Sequence, residues 1–401
     1  MNQDIKHVRI HSTNNHSKWD KDFTLESAQL TRKFHSTIPG YSPTPLVNLK
    51  ALAQHLGLAS FHVKDESKRF TLNAFKCLGG SWCIANYIAD RLGIPESELT
   101  FERLTRPDVR ESLGDLRFVT ATDGNHGRGI AWTANILGFK SVIFMPKGTV
   151  PERLANIRAL GAEASITDMN FDDTVIHAKS YAEAHNWVPV QDTFFEGHER
   201  IPLQIMQGYM TMALEAAEAL TEPPTHVFLQ SGVGSMAGAV TGFLADYYGE
   251  RKPIITIIEP HNAACMFKTA EAHDGKIHAV TGSLSTIMAG LACGVPCSIA
   301  WELLESHAEH CISMPDYVAA DGMRVLGNPL GNDERVVSGE SGASTSGFVY
   351  ELMTSPSLGR VREELGINAE SRVLCFSTEG ATDRENYRKV VWEGKYHKEE
   401  E

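Results

Sequence analysis

Phe118-Val119-Thr120-Ala121-Thr122-Asp123-Gly124-Asn125-His126-Gly127-Arg128-Gly129-Ile130-Ala131-Trp132-Thr133-Ala134-Asn135-Ile136-Leu137-Gly138-Phe139-Lys140-Ser141-Val142-Ile143-Phe144-Met145 is the stretch that decides the fold. It opens and closes on short runs of β-branched and aromatic residues, too short for helices and suited to buried strands. Between them, Gly127 to Leu137 has the length of a helix, and Gly138 stands where a helix commonly stops. Strand, helix and strand in that order predict a parallel pair joined by a crossover helix.

The alternation continues outward. Short apolar runs recur at Ala164-Ser165-Ile166, Trp187-Val188-Pro189-Val190, Val227-Phe228-Leu229, Ile254 to Ile258 and Val373-Leu374-Cys375-Phe376. A helix-length segment, Pro151 to Leu160, precedes Gly161. The expected fold class is α/β, with twisted, parallel-rich sheets flanked by helices. At about 150 residues per domain, 401 residues suggest two or three domains. The strands between 118 and 190 form one βα series, and those from Thr225 onward form a second. We therefore expect a larger domain of residues 1–89 plus 225–401 and a smaller one of residues 90–224. The polar ends, 1–20 and Lys395 to Glu401, are expected to fray.

Composition narrows the partners. The chain has 37 basic and 50 acidic residues, a net charge of -13. Such a surface repels nucleic acid and anionic lipid. No segment reaches the ~20 uninterrupted apolar residues that span a bilayer, and Met1-Asn2-Gln3-Asp4-Ile5-Lys6 leads into a polar stretch rather than a signal-peptide core. Seven cysteines without a C-x-x-C pair suit reduced thiols, so the cytoplasm is the expected compartment. His307-Ala308-Glu309-His310-Cys311 lacks a second ligand pair at zinc-like spacing, so no metal site is expected.

Chemistry concentrates in three loops. Lys76 lies in Asn73-Ala74-Phe75-Lys76-Cys77-Leu78-Gly79-Gly80, near the start of a helical pattern running through Trp82, Ile84 and Ile88. Apolar flanks and a helix N-terminus both favour the neutral amine, the form that attacks a carbonyl. The bland reading is a surface lysine with its stem on apolar neighbours. Thr122-Asp123-Gly124-Asn125-His126 follows a strand and opens a helix, so its N–H groups suit a carboxylate, and Asn125 suits a phenolic oxygen. Equally, it is a tight turn capped by Asp123. Gly232-Val233-Gly234-Ser235-Met236 repeats the arrangement and suits a phosphate. Its Gly-x-Gly-x-x-x-Gly spacing departs from the dinucleotide fingerprint, which argues against a nucleotide-binding oxidoreductase. Asp192 stands at a strand's carboxyl end, where α/β proteins bind ligands. Glu340 and the pair Ser377-Thr378 add polar groups at later turns.

Taken in order, Asn-Ala-Phe-Lys-x-x-Gly-Gly, Asp-Gly-Asn-His-Gly and Gly-Val-Gly-Ser-Met-Ala-Gly resemble the fold type II pyridoxal-phosphate enzymes, the superfamily of tryptophan synthase β and threonine dehydratase. The resemblance runs from Tyr41-Ser42-Pro43-Thr44-Pro45-Leu46 to Ser377-Thr378-Glu379-Gly380. It implies a pyridoxal 5'-phosphate cofactor carried by Lys76 and touched by Asn125, Gly232, Val233, Gly234, Ser235, Met236, Glu340 and Ser377 or Thr378. It also implies a small amino-acid substrate held by Thr122, Asp123, Gly124, Asn125 and His126, and a homodimer. Because Lys76 and the phosphate loop flank residues 90–224 while Asp123, Asn125 and Asp192 lie inside them, the cofactor is expected between the two domains.

Three departures narrow the resemblance. Asn73 and Asp123 stand where dehydratases usually carry serine, and Gly232-Val233-Gly234-Ser235 replaces a run of glycines. With Asp192-Thr193, Met206-Gln207-Gly208-Tyr209, Thr286 to Gly294 and Val390 to Lys395, these are similar to a branch that cleaves D- and L-2,3-diaminopropionate to pyruvate and two ammonia. In that chemistry the leaving group is cationic, so carboxylates nearby are favoured, and Asp123 and Asp192 supply two. Lys76 and Asp123 would remove the Cα proton from opposite faces. The rival readings are a serine or threonine dehydratase and a non-catalytic pyridoxal-phosphate-binding protein.

Overall fold

The computed structural model describes residues 4–12, 16–122, 124–192 and 199–398. It divides into two compact units, Met1–Leu25, Pro43–Ala74 and Met212–Glu401 in one, and Glu26–Ser42 and Phe75–Thr211 in the other. The strands, in chain order, are β1 (Lys6–Arg9), β2 (Leu46–Asn48), β3 (Ser60–Asp65), β4 (Arg117–Ala121), β5 (Lys140–Met145), β6 (Glu163–Ile166), β7 (Val188–Pro189), β8 (His226–Gln230), β9 (Ile254–Pro260), β10 (His310–Met314) and β11 (Arg372–Ser377).

The larger unit is built on a sheet ordered β1-β10-β9-β8-β11-β3-β2. Its five inner strands run parallel, and β1 and β2 close the edges antiparallel. Every residue of β8 is buried, as expected for a strand covered on both faces. Helices Asp316–Gly327 and Glu340–Thr354 meet through glycines: a β-carbon on Gly322 would stand 2.2 Å from the Ala343 carbonyl oxygen, and one on Gly347 would stand 2.0 Å from that of Val318. Beside the carboxyl end of β3, four buried charges form a neutral cluster. Glu215 accepts from Lys64 Nζ at 2.6 Å and from Arg69 Nη2 at 2.7 Å, and Arg69 Nη2 also reaches Glu66 at 2.8 Å. The segment that follows has left-handed backbone at Phe70, Thr71 and Asn73.

The smaller unit holds an all-parallel sheet ordered β6-β5-β4-β7. Val119, Ala121 and Val142 pack against Val175, Ala178 and Ala182 of helix Phe171–Ala184. Helix Cys77–Leu92 packs against helix Asn125–Leu137, Gly80 facing Gly129.

Several expectations need correction. Residues 26–42 and 75–89 belong with the smaller unit, the latter because helix Cys77–Leu92 buries its small-residue face on helix Asn125–Leu137, and residues 212–224 belong with the larger. The polar N-terminal stretch does not simply fray: Lys6–Arg9 pairs with β10, and His7 Nδ1 lies 3.0 Å from Glu364 Oε2. Strands β2, β3 and β10 had no clear signal, since each mixes polar residues into a short run.

Candidate active site

In the smaller sheet the chain runs from β4 outward to β5 and β6, then returns to β7 on the other side of β4. Such reversals create a crevice outside the strands' carboxyl ends. Thr122 follows β4, and its Oγ1 accepts from the N–H groups of Gly124 at 2.9 Å and Gly127 at 3.0 Å. Gly127 is required there, because a β-carbon would stand 2.3 Å from Thr122 Cγ2. Helix Asn125–Leu137 begins at Asn125, so with Gly124 and Gly127 donating to Thr122, the N–H groups of Asn125 and His126 are those of the first turn placed to suit an anion. Asp123 lies outside the described residues.

Asp192 follows β7, and Lys76 stands at the N-cap of helix Cys77–Leu92. Lys76 Nζ donates to Asp192 Oδ2 at 2.7 Å, so the amine is an ion-pair partner rather than a group in purely apolar surroundings. His126 Nε2 lies 3.0 Å from the Val190 carbonyl oxygen, which fixes the ring with Nδ1 3.7 Å from Asp192 Oδ2. Burial alone would raise the Asp192 carboxyl, but the Lys76 ammonium and His126 beside it hold it well below the usual carboxylate range. A buried carboxylate kept ionised by a primary ammonium is thus a ready seat for an alkylammonium group.

Two neighbours of this pair were not singled out from sequence. Gln191 donates to Asp192 Oδ1 at 3.3 Å. Tyr209, fully buried, packs at a tilt against Phe75 with ring centroids 4.7 Å apart, and its hydroxyl has no hydrogen-bond partner among the described residues. Burial pushes that hydroxyl's pKa up. The only sequence signal for Gln191 was its place before Asp192, whereas Tyr209 closes the stretch Met206-Gln207-Gly208-Tyr209 that carries the resemblance but had no role of its own.

In the larger unit, a second reversal lies between β8 and β11. The loop after β8 runs through Gly232 and Val233 to Gly234, the left-handed N-cap (φ 93°) of helix Ser235–Tyr248. A β-carbon on Gly234 would stand 2.2 Å from Met266 Cε, and one on Gly232 would stand 3.1 Å from the Gly290 carbonyl oxygen. The left-handed backbone at Gly234 favours glycine, and the helix's first N–H groups suit a phosphate. At the end of β11, Ser377 Oγ donates to Ser338 Oγ at 2.8 Å. Thr378 Oγ1 instead accepts from Gln230 Nε2 at 2.8 Å, which leaves its own proton for a ligand. Glu340 turns its carboxylate to Asn386 and lies near Glu379; burial first, then Glu379, push it up to about 7.

Of the residues expected at the site, Lys76, Thr122, Gly124, Asn125, His126 and Asp192 thus belong to the smaller unit, and Gly232, Val233, Gly234, Ser235, Met236, Glu340, Ser377 and Thr378 to the larger. His126 is brought to Asp192 as well as to the turn after β4. None of the seven cysteines, Cys265 and Cys293 included, forms a disulfide among the described residues. Among the described residues, no metal-binding cluster forms and no helix is long and apolar enough to cross a membrane.

Comparison with known proteins bears on this arrangement. The family described as pyridoxal-phosphate dependent enzyme matches residues 37–359. Diaminopropionate ammonia-lyase of Salmonella typhimurium is 48% identical over 367 residues, covering 90% of this chain and 91% of that protein. The crystal structure of holo diaminopropionate ammonia lyase from Escherichia coli superposes with a TM-score of 0.92 at 45% identity, covering 99% of each chain. The same enzyme in complex with an aminoacrylate-PLP azomethine reaction intermediate gives a TM-score of 0.91, again at 45% identity and 99% of each chain.

Proposed function

Because the chain belongs to the diaminopropionate ammonia-lyase family of pyridoxal-phosphate-dependent enzymes, we propose that it converts 2,3-diaminopropionate of either hand, with one water, to pyruvate and two ammonia. The observation that carries this reading is the ion pair of Lys76 and Asp192 at 2.7 Å. Asp192 already holds one primary ammonium. Once Lys76 is engaged elsewhere, the same oxygen suits the substrate's β-ammonium.

The residues at hand fit the cofactor. The N–H groups of Gly232 to Met236 suit its phosphate, Thr378 its ring nitrogen, Asn125 its phenolic oxygen and Lys76 its aldehyde carbon. When bound, pyridoxal phosphate draws electron density from the substrate's Cα into its ring. The remaining work falls to the chain. The N–H groups at the start of helix Asn125–Leu137 hold the substrate carboxylate, and Asp192 orients the β-nitrogen for departure. Lys76 takes the Cα proton on one face, and Asp123 takes it on the other.

A dehydratase reading is weaker, because a leaving hydroxyl offers no cation to an ionised Asp192. Reduced thiols favour a cytoplasmic protein. Family resemblance favours a homodimer, which size measurement at micromolar concentration would test. The deciding experiment measures ammonia and pyruvate formed from D- and L-diaminopropionate and from D- and L-serine. We expect both diaminopropionate isomers to be preferred. Turnover of serine without turnover of diaminopropionate would reject the assignment.

A further inference from the structure

Gln191 closes the carboxyl ends of two adjacent strands. Its Oε1 accepts from the Ala121 N–H at 3.1 Å and from Thr120 Oγ1 at 2.9 Å. A backbone N–H only donates, so the amide oxygen must face β4. That fixes the amide nitrogen toward Asp192, where Nε2 lies 3.3 Å from Oδ1. The side chain is buried, and its partners are at strand ends rather than in a loose loop. Among the donors that hold Asp192 are therefore two unlike ones: an amide on Oδ1 that never titrates, and a lysine ammonium on Oδ2 that can be exchanged.

We propose that Gln191 is a positioning residue that fixes the orientation of Asp192 and keeps it anionic when Lys76 lets go. The inference rests on the elimination reading above, in which Asp192 must receive the substrate's β-ammonium after losing its lysine. A buried carboxylate stripped of its cation tends to take up a proton, and a permanent N–H donor opposes that. Among the described residues, the titratable groups nearest this carboxylate are Lys76 at the start of helix Cys77–Leu92 and His126 at the start of helix Asn125–Leu137. Tyr209 of helix Arg200–Ala219 also feels its charge.

The test compares Gln191→Glu and Gln191→Met with wild type in the cofactor-loaded enzyme. A protonated glutamic acid has the shape of glutamine and can donate to Asp192, whereas an ionised one repels it. The introduced carboxyl and that of Asp192 would share one proton at low pH and lose it on titration. Relative to wild type, kcat/KM of Gln191→Glu on diaminopropionate should stay close at pH 6 and fall by roughly 10–100-fold by pH 9, the scale of one hydrogen bond to a charged group. Gln191→Met should lose a similar factor at every pH. Melting temperatures across the same range supply a readout independent of activity, and Gln191→Glu should lose relative stability as pH rises. Parallel, pH-independent losses in both variants would reduce Gln191 to a tie between strands and overturn the proposal. An inactive wild type would instead count against the elimination reading.

Discussion

Gly129 lies against the main chain of Lys76: a β-carbon there would stand 2.9 Å from the lysine's carbonyl carbon and oxygen. The contact is with backbone, which cannot swing aside as a side chain can. Gly79, one turn beyond Lys76, is equally constrained, its β-carbon position lying 2.6 Å from the ring of Tyr209. The lysine is thus pinned by what its neighbours lack.

Gly129→Ala should therefore act on the lysine without touching any ligand. Overpacking of this kind costs about 1–3 kcal/mol. We expect a lower melting temperature together with weaker uptake of pyridoxal phosphate, followed by absorbance titration. A variant that melts early but binds the cofactor normally would show that Lys76 tolerates the displacement.

Glu340 makes stability depend on pH in a particular direction. Its carboxyl is raised from 4.5 to about 7 by burial and by Glu379. A group raised in the fold contributes stability that is full below its unfolded value and lost as pH climbs through the folded one. Glu340→Gln cannot ionise and escapes that loss. Its stability relative to wild type should rise between pH 4.5 and 7 and then level off, by roughly 1–3 kcal/mol. Urea midpoints at pH 5 and pH 8 measure this; an equal difference at both would refute it.

Thr378 and Ser377 separate by their hydrogen bonds. Ser377 already donates to Ser338, while Thr378 accepts from Gln230 and keeps its own proton. Thr378→Val should weaken pyridoxal-phosphate binding by roughly 2–10-fold, the scale of one neutral hydrogen bond. Ser377→Ala should change it less. The reverse order in an equilibrium titration would exchange their roles.

Asp123→Asn preserves shape but removes a proton acceptor. If the two faces of Cα are served separately, the loss should be roughly 10²–10⁴-fold and fall mainly on the D isomer. Steady-state kinetics on each enantiomer decide it. Equal losses would make Asp123 a shared binding group.

The sequence carried the fold where residue type and period agree. The runs at 118–121, 142–145 and 254–258 became inner parallel strands because predominantly apolar segments must be covered on both faces. It failed at β1 and β10, where His7 and His310, themselves 3.0 Å apart, put polar rings into paired strands. Lys76, Asp192 and the glycine loop were legible because their chemistry is unusual for their place. Gln191 was not, since a glutamine at a strand end gives no hint of which way its amide faces; that depends on the Ala121 N–H, 70 residues away in sequence.

The cluster of Lys64, Glu66, Arg69 and Glu215 restricts how this chain can change over time. Each of the four side chains is at most 1% exposed, and their charges cancel. Losing one member strands another in a dry interior, a cost of about 3–5 kcal/mol, whereas replacing the whole set by apolar residues of like volume is close to neutral. Point substitution therefore meets a barrier at every first step, although a distant destination is accessible. Descendants of this sequence should keep all four residues or exchange them together, which makes the set an inherited marker of ancestry rather than of catalysis.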